Sequence, residues 1–254
     1  MNIAAQLYTV RELCQTPEGT LETLKHLSEK GFQSVQVSGV CDMPPEQMLS
    51  ILRETSMSLC ATHSTLERIV DDPKALIEAH KLWDCQYIGL SYYPREYLSP
   101  GGAQAFADIV RPAVEMIADA GLLFCLHNHR HEFVKTEGKN VFEHMCGSFG
   151  PQLMGFIADT YWIQAGGADP AAFIRQYADR VKVLHLKDFA VVQAEKGDAP
   201  REMPPGQGNL NWLSIMAAAL EVGVEHFPIE IDFCYGRDPV ECLGEGLEFM
   251  KTLC

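Results

Sequence analysis

The chain has 254 residues, 47% hydrophobic and 21% charged, with 20 Lys and Arg against 34 Asp and Glu for a net charge of −14. That mixture excludes a disordered chain, which combines low hydrophobicity with dense charge. It also argues against a nucleic-acid partner, because phosphate backbones are bound through clustered Lys and Arg. No apolar run approaches the roughly 18–20 residues of a membrane span. The opening MNIAAQLYTVRELCQ has no basic leader ahead of an apolar stretch. The nine cysteines are scattered without a CxxC pair, and Cys60, Cys85 and Cys125 sit in apolar runs, as reduced thiols do. The expectation is a soluble cytoplasmic protein with no membrane partner.

Eight β-type runs alternate with helical ones along the whole chain. Ile3–Tyr8 is the first strand, followed by a helix over Thr20–Lys30 that places Leu21, Leu24 and Leu27 on one face and closes at Gly31. Ser34–Val37 leads to a helix at Pro44–Thr55, and Ser58–Thr62 to one at Asp72–Trp83 whose inner face carries Leu76, Ile77 and His80. Tyr87–Ser91 precedes the helix Ala103–Gly121; Leu122–Asn128 precedes Val141–Cys146; Leu153–Ala158 precedes Pro170–Ala178. Lys182–Lys187 and His226–Asp232 are the last strands, with helices at Leu210–Val222 and Val240–Leu253. Phe189–Asn209, rich in Gly, Pro and charge, reads as an irregular loop covering substrate.

Most of these strands are unbroken apolar stretches, as in a parallel sheet covered on both faces. Eight β/α pairs at roughly 32 residues each favour one closed (β/α)8 TIM barrel, spanning 1–254 as a single domain. No GxGxxG follows the first strand, which weakens an open dinucleotide-binding sheet.

In such a barrel, the C-terminal strand ends build the active site. Polar residues gather there: Thr62-His63-Ser64 with Glu67, His127 through Glu132, Asp159-Thr160-Tyr161-Trp162, His185-Leu186-Lys187-Asp188, and Glu230-Ile231-Asp232. Each has an ordinary explanation. A lone Asp after a strand is usually a helix cap, a lone His a half-buried hydrogen-bonding residue, and Lys187–Asp188 a solvated pair. Convergence of Asp159, His185 and Glu230 at the exits of three neighbouring strands points instead to one divalent ion, Mn, Co, Mg or Zn.

The segments HNHRHEF, DTYW followed by AGGADP, HLKDF, GQGNLNW, PIEID and the opening IAAQLYTVRE resemble signature segments of the xylose-isomerase-like TIM-barrel superfamily. The branch they are most similar to is that of sugar phosphate isomerase/epimerase-like proteins, over essentially the whole chain and in order. The resemblance implies metal ligands at Asp159, His185 and Glu230. From the fifth strand it implies either His127 or Glu132; relatives often carry a glutamate just before the asparagine matched by Asn128, and here Cys125, Leu126 and His127 stand there. Gln36 likewise stands where relatives often have a glutamate.

The implied function is a metal-dependent isomerase or epimerase of a sugar or keto-sugar. It would act by proton abstraction beside a carbonyl and a metal-stabilised enediolate. Glu132, Glu230, His127 and His129 are the candidates for the proton transfer, with His63 behind them. His63, Asn128, Trp162, Lys187 and Tyr8 are the candidates for holding the sugar, with Tyr161, Gln6 and Asn211 as lesser ones. Arg11, Arg95 and Arg201 have no phosphate loop beside them, so a phosphorylated substrate is unsupported. Loss of a β-substituent would make the same core a dehydratase, or a lyase of oxo-sugars, inososes or 3-oxo-glycosides. Phosphodiester hydrolysis, as in a related endonuclease, conflicts with the negative charge. A catalytically silent sugar-binding barrel is the reading outside enzymes. Oligomeric state stays open, a homo-oligomer being compatible.

Overall fold

The computed structural model describes residues 1–195 and 197–253. Seven strands come first: β1 Asn2–Gln6, β2 Ser34–Val37, β3 Ser58–Ser64, β4 Tyr87–Leu90, β5 Leu123–His127, β6 Met154–Asp159 and β7 Val181–His185. An antiparallel hairpin follows, β8 Asp188–Ala194 and β9 Gly197–Met203, and then β10 His226–Ile229. The parallel strands close in the order β1-β10-β7-β6-β5-β4-β3-β2, a (β/α)8 TIM barrel. Between them run α1 Pro17–Glu29, α2 Pro45–Thr55, α3 Leu66–Asp71, α4 Pro73–Leu82, α5 Gly102–Asp119, α6 Val141–Ser148, α7 Thr160–Ala165, α8 Pro170–Gln176, α9 Trp212–Val222 and α10 Pro239–Lys251.

Local chemistry explains the helix starts. Thr16 accepts from Gly19 N ahead of Pro17, Asp72 caps Ala75 N ahead of Pro73, and Asp169 caps Ala172 N ahead of Pro170. A Pro in the first turn loses no hydrogen bond, and an Asp or Thr oxygen satisfies an orphan N–H. The short helices α3 and α7 are absent from the sequence reading because six residues carry too little periodicity. The larger departure lies after β7. Phe189–Asn209, expected as an irregular loop, is largely the β8–β9 hairpin, with Lys196 outside the described residues. The last barrel strand also ends at Ile229, before Glu230 and Asp232. Cys254 lies outside the described residues, and the other eight cysteines are free thiols.

Strand pleating splits the buried side chains into two sets. One set, with Phe124 and Phe156, faces the helices and joins a core that includes Phe106 of α5 and Phe142 of α6. The other is the small cluster Ala4, Cys60, Ala61, Tyr87, Leu123, Cys125, Ile157 and Val183, which fills the barrel interior. Two residues further along their strands, Ala4 is followed by Gln6, Ala61 by His63, Cys125 by His127, Ile157 by Asp159 and Val183 by His185. Period-two alternation therefore carries the interior from apolar at depth to polar at the mouth. Gly89 on β4 makes room for this layer: a Cβ there would stand 2.6 Å from Ile157 Cδ1 and 3.0 Å from His63 Cδ2.

Candidate active site

One ligand atom from each of His127, Asp159, His185 and Glu230 lies within 4.8 Å of the other three, and all four residues are buried. The strand register produces this: Asp159 and His185 are Cα partners across β6 and β7, and His127 pairs with Ile157. Asp159 combines two readings in one carboxylate. Its Oδ1 accepts from Trp162 N at 2.9 Å and caps α7, while the fully buried Oδ2 has no hydrogen-bond partner. Asn128 Oδ1 accepts from Asp159 N at 2.9 Å, so this asparagine positions the aspartate and does not line the cavity.

The imidazoles are oriented as well. His127 Nδ1 donates to Ile157 O at 3.3 Å, which leaves Nε2 as its lone-pair atom. His185 Nδ1 lies 2.8 Å from Glu230 Oε2 and 3.8 Å from Asp159 Oδ2, and its Nε2 lies 2.8 Å from Gln36 Oε1. Burial holds His127 well below the ordinary imidazole range, assisted by His63 and His185, and pushes His63 down to about 3. Burial thus keeps His127 and His63 neutral and able to offer lone pairs at neutral pH.

Lys187 belongs to the same group, and not to the solvated pair with Asp188 that was its ordinary explanation. Its ammonium, 1% exposed, lies 2.5 Å from Asp232, 3.7 Å from Glu230 Oε2 and 4.0 Å from Asp159 Oδ2. Burial opposes this charge, but Glu230, Asp232 and Asp159 more than offset it and raise the lysine above its ordinary value. Glu230 is held low because Lys187 and His185 outweigh its burial. Asp159 is pushed up, since burial there exceeds the help of Lys187 and Glu230 adds repulsion. Asp188 instead accepts from Phe189 N, Gly206 N, Gly208 N, Leu210 N and the Trp212 indole, and closes the base of the hairpin.

A cavity of about 300 Å³ opens onto this group, walled by Tyr8, Ser38, His63, Ser91, Tyr92, His127, His129, Trp162, Lys187, Glu230 and Asp232. It contains His63, Trp162, Lys187 and Tyr8 from the sequence expectations. Lys187 Nζ stands 5.2 Å from the Trp162 ring centre. Tyr161 packs under Trp162 and against Phe189. None of Arg11, Arg95 and Arg201 lines the cavity; they lie on Tyr8, Tyr92 and Tyr235 respectively. Gln6 and Asn211 turn to local backbone caps at Tyr8 N and Ser214 N.

Glu132 sits outside the four-residue group. It is fully buried in a separate trio with His129 and His131, 3.8 Å from His129 Nδ1 and 3.2 Å from His131 Nε2, and its Oε2 accepts from His129 N. Of the two fifth-strand candidates the barrel thus brings His127 into the group. The turn Arg130–Phe133 folds back after the strand and carries Glu132 away. Ser38, Ser91, Tyr92 and Glu202 escaped the sequence reading. Glu202 reaches the site from the hairpin, its Oε2 accepting from Asp232 N, and burial pushes it up to about 7 against the pull of Lys187. No sequence signal marks it, because it stands 15 positions after Lys187 in a segment without barrel periodicity.

A family model described as xylose isomerase-like TIM barrel matches residues 16–253. The chain belongs to this family. Among relatives of this xylose isomerase-like barrel, an inosose dehydratase from Geobacillus kaustophilus is 25% identical over 235 residues, covering 79% of this chain and 76% of the relative. A sugar phosphate isomerase/epimerase from Parabacteroides distasonis superposes with a TM-score of 0.78 at 20% identity, covering 98% of this chain and 93% of the other. A xylose isomerase-like barrel from Mycobacterium smegmatis in complex with magnesium superposes with a TM-score of 0.75 at 14% identity, covering 99% and 96%. Among the described residues, no helix is long and apolar enough to cross a membrane.

Proposed function

We propose that this barrel is a divalent-cation-dependent isomerase or epimerase of a sugar or keto-sugar. The observation that carries the reading is the bare Oδ2 of Asp159, completely buried, without a hydrogen-bond donor, and directed among His127, His185 and Glu230. Ionising a buried carboxylate oxygen that has no donor is costly, which is why burial pushes Asp159 up, and a bound cation would offset that cost. Lys187 is already engaged 2.5 Å away by Asp232. Two imidazoles and two carboxylates form a donor set that suits a borderline or hard dication. Such an ion, bound there, supplies Lewis-acid polarisation of a substrate carbonyl.

The remaining chemistry falls to the chain. His129 lines the cavity with its Nδ1 toward the buried Glu132, so that Nε2 takes the proton from the carbon beside the carbonyl and the carboxylate steadies the resulting imidazolium. Lys187 donates a hydrogen bond to the oxygen that gains negative charge. Trp162 and Tyr92 offer flat faces to the sugar ring, and Ser38 and Ser91 offer hydroxyls to its own. Return of the proton to the opposite face gives the epimer; return to the neighbouring carbon gives the isomer. Elimination of a β-substituent is the second reading, favoured by the inosose dehydratase relative, and begins with the same proton abstraction.

Asp159→Asn tests the reading cleanly, because asparagine keeps the helix-capping oxygen while removing the anion. The variant is expected to melt within about 1 kcal/mol of the parent and to lose stoichiometric Mn²⁺ together with solvent-deuterium incorporation into keto-sugars. Undiminished metal content by elemental analysis would remove Asp159 from the site.

A further inference from the structure

We infer that the substrate of this barrel carries an aromatic substituent, and that an apolar groove beside the catalytic cavity is the subsite that receives it. The inference rests on the sugar-enzyme reading and deepens it by naming the substrate class, an aryl glycoside of a keto-sugar and not a bare monosaccharide. The groove, of about 500 Å³, runs between the turn Leu7–Leu13 and the segment 232–239 that leads from β10 into α10. Its apolar walls are Val10, Leu13, Phe233, Tyr235 and Pro239. Asp232 lines both hollows. Its carboxylate engages Lys187 in the catalytic cavity, while its carbonyl accepts from the guanidinium of Arg11, a groove residue, at 3.1 Å. The same guanidinium stands 4.2 Å from the ring centre of Tyr8, which walls the catalytic cavity. A sugar beside Lys187 is thus one residue away from the groove.

The chemistry of the groove selects its occupant. Its polar groups are already bonded within the protein: Thr9 Oγ1 accepts from Ile231 N at 2.9 Å, Arg11 donates to Tyr8 O and Asp232 O, and Arg237 pairs with Glu245 at 2.6 Å. Glu12 stands at the rim, largely in solvent, with its carboxylate 3.7 Å from Arg11. What remains for a ligand is apolar surface, with Phe233 59% exposed, Tyr235 49% and Leu13 46%. Exposed apolar side chains gathered in one hollow mark a binding groove. Arg201 lies over the Tyr235 ring and the Tyr235 hydroxyl accepts from Glu202 N, so Phe233 presents the freer face. A hollow of this size holds a small-molecule fragment. Three side chains fall far short of the roughly 800 Å² per partner that a stable protein interface buries. The occupant that fits both the size and the shared wall at Asp232 is an aromatic ring attached to the sugar.

The test uses phenyl and methyl β-D-glucopyranoside as probes in calorimetric titration of the wild type, Phe233→Ala and Phe233→Tyr, each supplemented with Mn²⁺. Neither probe carries a free carbonyl, so binding is read apart from turnover. The phenyl glycoside is expected to bind the wild type roughly tenfold more tightly than the methyl one, the factor that partial burial of one ring supplies. That ratio is expected to fall to about one in Phe233→Ala, where the ring's apolar surface is gone, and to persist in Phe233→Tyr, which keeps it. Equal affinity of the wild type for the two probes, no detectable binding of the phenyl probe, or a preference that survives in Phe233→Ala overturns the subsite. Sedimentation showing a dimeric wild type and a monomeric Phe233→Ala would give the groove to a second copy and overturn it as well. Should no keto-sugar take up deuterium from solvent, the proton-abstraction reading falls while the phenyl preference still decides the subsite.

Discussion

Single side chains in this barrel are held by partners that define their protonation. His80, inside α4, donates from Nδ1 to Leu76 O at 2.7 Å and accepts on Nε2 from the Thr62 hydroxyl at 2.8 Å. Burial depresses it from 6.5 to about 4. Above the unfolded value both states are neutral, so nothing is lost there. As the pH falls toward 4 the unfolded chain takes a proton that the folded one refuses, and stability declines by up to about 3 kcal/mol. In His80→Gln this share of the pH dependence disappears, so the stability gap to the wild type should narrow between pH 7 and 4 in denaturant titrations. A gap that stays constant would show that His80 is protonated without cost. At this scale the sequence was informative about identity and poor about partnership. His63, Asp159, His185 and Glu230 stand out as polar residues ending apolar runs. That Lys187 engages Asp232 and not its neighbour Asp188 is invisible in a linear reading, because the pleat sends consecutive residues to opposite faces.

Elements show the same division. The eight barrel strands are legible because burial on both faces makes most of them unbroken apolar words; Asp72 announces its helix, whereas the cap at Thr16 lies ahead of the Thr20 start read from the apolar face. The β8–β9 hairpin was not legible. Its strands, DFAVVQA and GDAPREM, are mostly solvated and mix charge with a proline, so no burial pattern marks them. One carboxylate gathers most of the bonds at the base of the hairpin. Asp188 gathers four backbone N–H groups and the Trp212 indole, and Gly208 packs so close to it that a Cβ would collide with Oδ1. Asp188→Ala should therefore cost about 3 kcal/mol or more, through several donors left unsatisfied at once. It should also open the stretch between Ala194 and Met203 to limited proteolysis before the barrel unfolds. Cleavage no faster than in the wild type would mean that the hairpin is secured elsewhere, by Arg201 on Tyr235 for example.

The molecule as a whole carries a net charge of −14, while its surface ion pairs, such as Lys30–Glu241, Arg175–Glu221 and Arg237–Glu245, are mostly exposed. Exposed pairs contribute little, so self-repulsion dominates the long-range electrostatics. Raising NaCl from about 10 to 200 mM shortens the screening length from roughly 30 Å to under 10 Å and should raise the melting temperature. A fall would place the balance with the attractive pairs.

The clamp at Asp188 has one more outcome. Both ends of the hairpin are gathered at the same carboxylate, so the ribbon leaves the barrel and returns to it at a single point. An insert rooted in this way can change length or composition from one lineage to another while every stave of the barrel keeps its register. Descendants of such a scaffold can acquire a new roof over an old hearth, since Glu202 enters with the ribbon and His127, Asp159, His185 and Glu230 do not.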